Sequence, residues 1–203
     1  ASIDSVAYRL TRTFRSAAFE QVYGWLTSPC READDGFRPF DLDQWEGPLW
    51  KLITERPIHL LDPQYDSWNE ALLFIVDATI TEMDRGGDFE LEHRTWGESN
   101  TTSIRHPLSR ALPVLSDWLD MPSRPLPGDS NMPRVQHRSS GASERLAVSP
   151  GREEQGYFHM PCGQSGHPLS PYYRAGHDAW EEGQPTPFLP GPGKWELTLV
   201  PEN

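Results

Sequence analysis

The chain has 203 residues, enough for a sizeable core without metal or disulfide staples. Only 36% of residues are hydrophobic, while 20 prolines, 16 glycines and 8 tryptophans describe a loop-rich fold with a few large aromatic anchors rather than a disordered chain. A net charge of -12, with 18 Lys and Arg scattered among 30 acids, excludes a nucleic-acid partner, and no apolar run reaches the roughly 20 residues of a membrane span.

Apolar residues at three- and four-residue spacing (Ala7, Leu10, Phe14, Ala17, Ala18, Val22, Trp25) predict an amphipathic helix within Ile3 to Thr27. Asp4 is its expected N-cap and Pro29 its terminator. A second helix is expected from Gln44 to Glu55, burying Trp45, Leu49, Leu52 and Ile53 before Pro57. A third opens on a capping box, Ser67 with Glu70, and runs to Gly86-Gly87. Residues 1–87 therefore read as a mainly helical segment, and 88–203 as a mixed segment of short strands and proline-rich extended chain. Strands are expected at Arg94 to Trp96, Glu144 to Val148, Gly156 to Met160 and Trp195 to Val200, with a helical turn at His177 to Glu182. The fold class is α+β.

The residues by themselves assemble no site. His59, His93, His106, His137, His159, His167 and His177 never occur at spacings that present two metal ligands together. Asp34-Asp35 and Asp41 with Asp43 lack the glycine and terminal glutamate of a calcium loop and read as a solvated acidic stretch. No GxSxG nucleophile elbow occurs, and Ser165 in Gly163-Gln164-Ser165-Gly166 reads as a turn residue. Cys30 and Cys162 form either one disulfide or two buried thiols.

The stretch Pro161-Cys162-Gly163-Gln164-Ser165-Gly166-His167-Pro168-Leu169-Ser170-Pro171-Tyr172-Tyr173 resembles the signature near the C-terminus of penicillin acylases. The features before it agree in order: Trp96-Gly97-Glu98, Ile104-Arg105-His106-Pro107-Leu108-Ser109, Gly128-Asp129 and Gly141-Ala142-Ser143-Glu144-Arg145. The likeness extends over the three helices, through Ala7-Tyr8-Arg9-Leu10 and Pro48-Leu49-Trp50. Two departures stand out: Cys162 replaces a usual glycine, and Ser149 stands where related enzymes often carry an acid.

The resemblance implies an αββα N-terminal-nucleophile fold in a self-cleaved precursor. This chain would be the C-terminal part of the β-subunit, and the remaining α and β polypeptide its partners. It also implies cleavage of a small-molecule linear amide by acyl transfer to an N-terminal serine, in a periplasmic or secreted enzyme that carries a structural calcium assignable to no residue here. Ala1 has no hydroxyl and Ser2 no free amine, so the nucleophile is expected outside this chain, which alone would be inactive. Ser143, Glu144 and Arg145 are the candidate active-site-flanking residues; no catalytic, cofactor-binding or metal residue is assigned. The competing reading is a stand-alone binding module that docks through its proline-rich loops and exposed aromatics.

Overall fold

The computed structural model describes residues 1–39, 44–84, 90–130, 132–141 and 144–201, with only the backbone at 140 and 141. Its contacts divide the chain into two units, Ala1–Ser99 and Asn100–Asn203. Helices dominate the first, and short helices mix with two-stranded antiparallel sheets in the second, which agrees with an α+β composition.

The first unit is built on helix α1, Val6–Leu26. Ser5, not Asp4, caps it: the Ser5 hydroxyl accepts the Tyr8 amide at 3.1 Å, because Ser5 alone sits three residues before that orphan donor. Pro29 lies in the first turn of helix α2, Ser28–Ala33, where its missing N–H costs nothing, so it starts a helix as well as following one. Helix α3 spans Glu46–Glu55 and α4 spans Trp68–Asp84. At the start of α4 the Ser67 hydroxyl accepts the Glu70 amide at 3.2 Å, while the Glu70 carboxylate accepts the amide of Asp66 at 2.7 Å, one residue before the expected partner. The expected Gly86-Gly87 stop lies outside the described residues.

Ala18, Phe19 and Val22 of α1 meet Leu49 of α3 and Trp68 and Ile75 of α4 in one buried apolar cluster. Phe19 lies 4.1 Å from the Trp45 ring centre and Trp25 lies 5.8 Å from that of Trp68. The indole N–H groups of Trp25 and Trp68 donate to the carbonyls of Leu60 and Pro57, so burial leaves neither polar edge unpaired. The strand expected at Arg94 to Trp96 is absent. A 3-10 turn at Leu91–His93 runs into helix α5, Trp96–Ser99: the burial of Arg94 and Trp96 would also suit a strand's alternation, but Arg94 pairs with Glu98 at 2.7 Å, across the four-residue spacing of a helix. Thr95 caps, its hydroxyl accepting the Glu98 amide at 3.3 Å. The Trp96 and Gly97 amides then donate to the carbonyls of Ser5 and Ile3.

In the second unit, α6 (Pro107–Ala111) and α7 (Ser116–Leu119) precede strands β1 (Gln136–His137) and β2 (Ser140–Gly141), which pair with each other. Strand β3, Arg145–Ala147, pairs antiparallel with β4, Tyr157–His159, in the register Arg145 with His159, Leu146 with Phe158 and Ala147 with Tyr157. Helix α8, His177–Glu182, falls where the sequence places its helical turn. The segment Trp195 to Val200 forms no strand and is exposed throughout.

Candidate functional site

The second unit is organised around a buried polar cluster between β3, β4 and α8. Helix α8 is bounded by two glycines in left-handed conformation, Gly176 and Gly183, and its last carbonyls need donors. Three inward side chains supply them. Arg145 Nη2 donates to the Trp180 carbonyl at 2.7 Å, Gln136 Nε2 donates to the carbonyls of Trp180 and of Glu181 (3.1 Å for the latter), and Arg134 Nη2 donates to that of Glu181. The Arg145 Nε also reaches His159 Nδ1 at 3.2 Å, and the far side of that ring, Nε2, faces the Gln184 carbonyl. Burial, with the nearby Arg134 charge, pulls the Arg145 guanidinium below its ordinary value; burial does the same to Arg134.

The Glu181 carboxylate, on the same helix, accepts from the Thr102 hydroxyl at 2.8 Å and pairs with Arg124 at 3.1 Å; His177 Nε2 lies 3.1 Å from it without the alignment of a hydrogen bond. His177 Nδ1 lies 2.6 Å from the Pro161 carbonyl, tying the helix to the start of the signature stretch. His159 and His177 are thus network members that histidine spacing alone did not single out; their signal was position inside the strand and helix expected at those places.

Of the three residues expected to flank the active centre, Arg145 is buried in this cluster and Glu144 is exposed beside it. Ser143 lies outside the described residues. Arg145 Nη1 and Trp180 Nε1 are buried with no hydrogen-bond partner among the described residues.

The signature stretch is a loop braced by its own residues. Gly163 donates its amide to the Tyr173 carbonyl at 3.1 Å, and a Cβ there would sit 1.9 Å from the Tyr172 carbonyl oxygen, so no other residue fits. The Ser165 hydroxyl accepts the His167 amide, His167 Nδ1 accepts the Leu169 amide and the Ser170 hydroxyl accepts the Tyr172 amide, at 3.1, 3.2 and 3.2 Å. Ser165 is a turn residue, as its sequence context indicates. The loop walls a cleft of about 500 Å³ with Phe158, Met160, Cys162, Tyr172 and Thr186. Cys162 is a half-buried free thiol, pushed up in pKa by burial, and Cys30 is an exposed free thiol.

Other quoted motifs are anchored as tightly. Around Asp120, the carboxylate accepts the His106 amide at 2.9 Å, the Ser109 hydroxyl, and Arg105 Nε at 3.1 Å. A Cβ on Gly128 would lie 2.2 Å from the Arg134 carbonyl. These described stretches of the acylase pattern therefore have defined structural tasks. A model of the family described as penicillin amidase matches residues 1–194. The chain belongs to the penicillin amidase family. One curated relative, the penicillin acylase 2 proenzyme of Pseudomonas sp. (strain SE83), is 28% identical over 131 residues, 61% of this chain. That alignment covers 16% of the relative's own length, so this family member spans a small part of the protein it matches.

For metal binding, one trio among the described residues, Glu90, Glu92 and His93, brings possible ligand atoms together; all three are exposed, near in sequence and on the surface. Asp34 accepts the Gly36 amide in a turn, while Asp41 and Asp43 lie outside the described residues. No described helix is long and apolar enough to cross a membrane.

Proposed function

We propose that this chain is the C-terminal part of the β-subunit of a penicillin-acylase-type amidohydrolase, and that its β3 strand completes a sheet supplied by the rest of the enzyme. In this reading a serine outside residues 1–203, at the N-terminus of the β-subunit, attacks the carbonyl of a small linear amide, with its own α-amino group taking the proton. The amine leaves with that proton, and water hydrolyses the acyl-enzyme to the acid. The remaining α and β polypeptide of the precursor are its partners, the compartment is periplasmic or extracytoplasmic by secretion, and the structural calcium frequent in the family is assigned to no residue here. This chain alone is inactive.

The state of the β3–β4 sheet carries the reading. One edge is sealed: on the far side of β4 the Phe158 amide donates to the Thr186 carbonyl and the Phe188 amide to that of Gly156, both at 3.1 Å. The outer edge of β3 makes no backbone hydrogen bond among the described residues, and Leu146 and Val148 along it are exposed. An open apolar edge of this kind invites another strand. It supports a sheet continued by polypeptide beyond this chain. Arg145 acts there as a positioning residue, holding β3 to α8, and of the two described members of the trio Glu144 is the exposed one, free to face the nucleophile's amine.

The test is to characterise every polypeptide of the native protein by intact mass and N-terminal sequencing, and to assay the complete gene product on an aryl-acetamide. A larger polypeptide beginning with serine, and turnover lost on replacing that serine, are expected. Turnover by residues 1–203 alone would overturn the assignment. In the complete enzyme, Glu144→Gln with unchanged kcat and KM would remove Glu144 from the active centre.

A further inference from the structure

We infer that Trp195–Val200 is a strand of the complete enzyme, formed when it pairs with a sheet edge in the polypeptide outside residues 1–203. The inference rests on the reading above and names a second contact through which this chain joins its partner. The family match ends at residue 194, immediately before the segment, and so assigns it no role.

The sequence Trp195-Glu196-Leu197-Thr198-Leu199-Val200 alternates with period two, placing Trp195, Leu197 and Leu199 on one face and Glu196 and Thr198 on the other. Its residues favour extended backbone and contain neither glycine nor proline. In the structure the apolar face is bare: Trp195 is 95% exposed, Leu197 84% and Leu199 86%. Among the described residues the segment makes no hydrogen bond or ion pair. Three large apolar side chains in a row are a cost in water that a folded enzyme removes by covering them.

The preceding chain explains why this unit does not cover them. Once Thr186–Phe188 has sealed β4, the run Pro190-Gly191-Pro192-Gly193 follows, in which two residues have no amide proton and cannot extend the ladder. The run is a spacer that carries the segment away from its own sheet. A second copy of the chain is a poor occupant, since each carries a net charge of -12 and like charges oppose their approach. The relative is much longer than this chain, the alignment covering 16% of it, so a family member has ample further polypeptide to present an edge. Main-chain pairing would give the affinity and the alternate side chains the register.

The decisive experiment is made in the complete gene product. Truncation after Lys194 deletes a segment that makes no hydrogen bond or ion pair among the described residues, so it leaves the fold of residues 1–194 intact. It is expected to lower the melting temperature by several degrees and to make the complete protein elute earlier, as a loosened species, on gel filtration in mild denaturant. The triple change Trp195→Ser, Leu197→Ser and Leu199→Ser should reproduce both effects, while Glu196→Ser with Thr198→Ser should reproduce neither. Unchanged melting and retention on truncation would overturn the inference, as would truncation that abolished only a concentration-dependent dimer of this chain. Amide turnover measured on the same untruncated protein separates the two levels: serine-dependent turnover with a silent truncation defeats the strand alone, whereas absent turnover defeats the enzymatic reading and leaves melting to judge the strand.

Discussion

The two units of the chain are held together by different forces. In Ala1–Ser99 the buried cluster is apolar and aromatic, centred on Phe19, Trp68 and Ile75, and the buried polar side chains Thr79 and Arg94 lie outside it. In Asn100–Asn203 many of the best-buried side chains are polar: Asn100, Thr102, Gln136, Arg145, His159, His177 and Glu181. Asn100 alone donates through Nδ2 toward the carbonyls of Leu126, Gly128 and Gln136, at 3.0, 3.0 and 3.1 Å. The first unit gains from non-directional burial and tolerates changes that conserve volume; the second relies on directional bonds, each costly when half broken. Short strands and proline-rich turns leave many backbone groups unpaired, and buried side chains must satisfy them.

The comparison is tested most severely at Phe19. It is fully buried between Tyr23 and Trp45, and Phe19→Ala should cost about 3–5 kcal/mol by the loss of transfer energy and the cavity left. Phe19→Leu should cost well under half of that, read from urea midpoints at constant slope. The matching change in the second unit is Gln136→Leu, close in volume but without the amide. It strips donors from the carbonyls of Trp180 and Glu181 and the acceptor from Arg134 Nε, so about 2–3 kcal/mol should be lost despite conserved volume. If Gln136→Leu proves as mild as Phe19→Leu, the second unit is held by packing and the contrast collapses.

That contrast also explains what could be read before the structure. Period-3.6 spacing located α1, α3 and α4 to within a few residues, because their core is apolar and the spacing records it. The β3 and β4 strands and the α8 turn were legible as well, and the family from the Pro161–Tyr173 stretch. Arg145 was legible as a candidate, but its bonds to His159 and Trp180 join residues 14 and 35 apart, which no local pattern encodes. The expected Arg94 to Trp96 strand failed for a related reason: Arg94 turns inward to meet Glu98 at 2.7 Å, a contact of helical spacing. Ser5 displaced Asp4 as cap through a one-residue shift that composition leaves open. For Trp195 to Val200 the alternation is plain in the sequence, but a strand needs a partner edge, and this unit does not provide one.

A smaller effect separates the units by pH. Burial tends to raise the Asp120 carboxyl, but bonds from Ser109, the His106 amide and Arg105 outweigh it and hold the folded value below the ordinary range. A depressed folded pKa stabilises fully above the unfolded value, about 3.9, and that stability is lost as pH falls through the lower folded value. Asp120→Asn should therefore cost about 1–2 kcal/mol at pH 7 by weakening charged hydrogen bonds and should flatten the acid limb below about pH 4. Glu98 is held down in the first unit too, where burial is outweighed by Arg94 and Arg9, but its more exposed carboxylate should give the shallower response to Glu98→Gln. An equal acid response from the two variants would remove this distinction.

The smallest effect concerns the backbone of the first unit. Arg56 ends α3 with φ 54 and ψ 52, a left-handed cap that costs a side-chain-bearing residue about 1 kcal/mol. Its amide still closes the helix on the Leu52 carbonyl at 2.9 Å, a bond glycine would keep. Glycine would lose the exposed bond from Arg56 Nη1 to Asn69 Oδ1 at 2.7 Å and would loosen the unfolded chain. These losses offset much of the relief, leaving Arg56→Gly stabilising by about 0.5 kcal/mol or less, measurable as a small rise in the urea midpoint. A clear destabilisation would mean that the Arg56–Asn69 bond fixes α3 against α4, so that even the apolar unit depends on a directional contact.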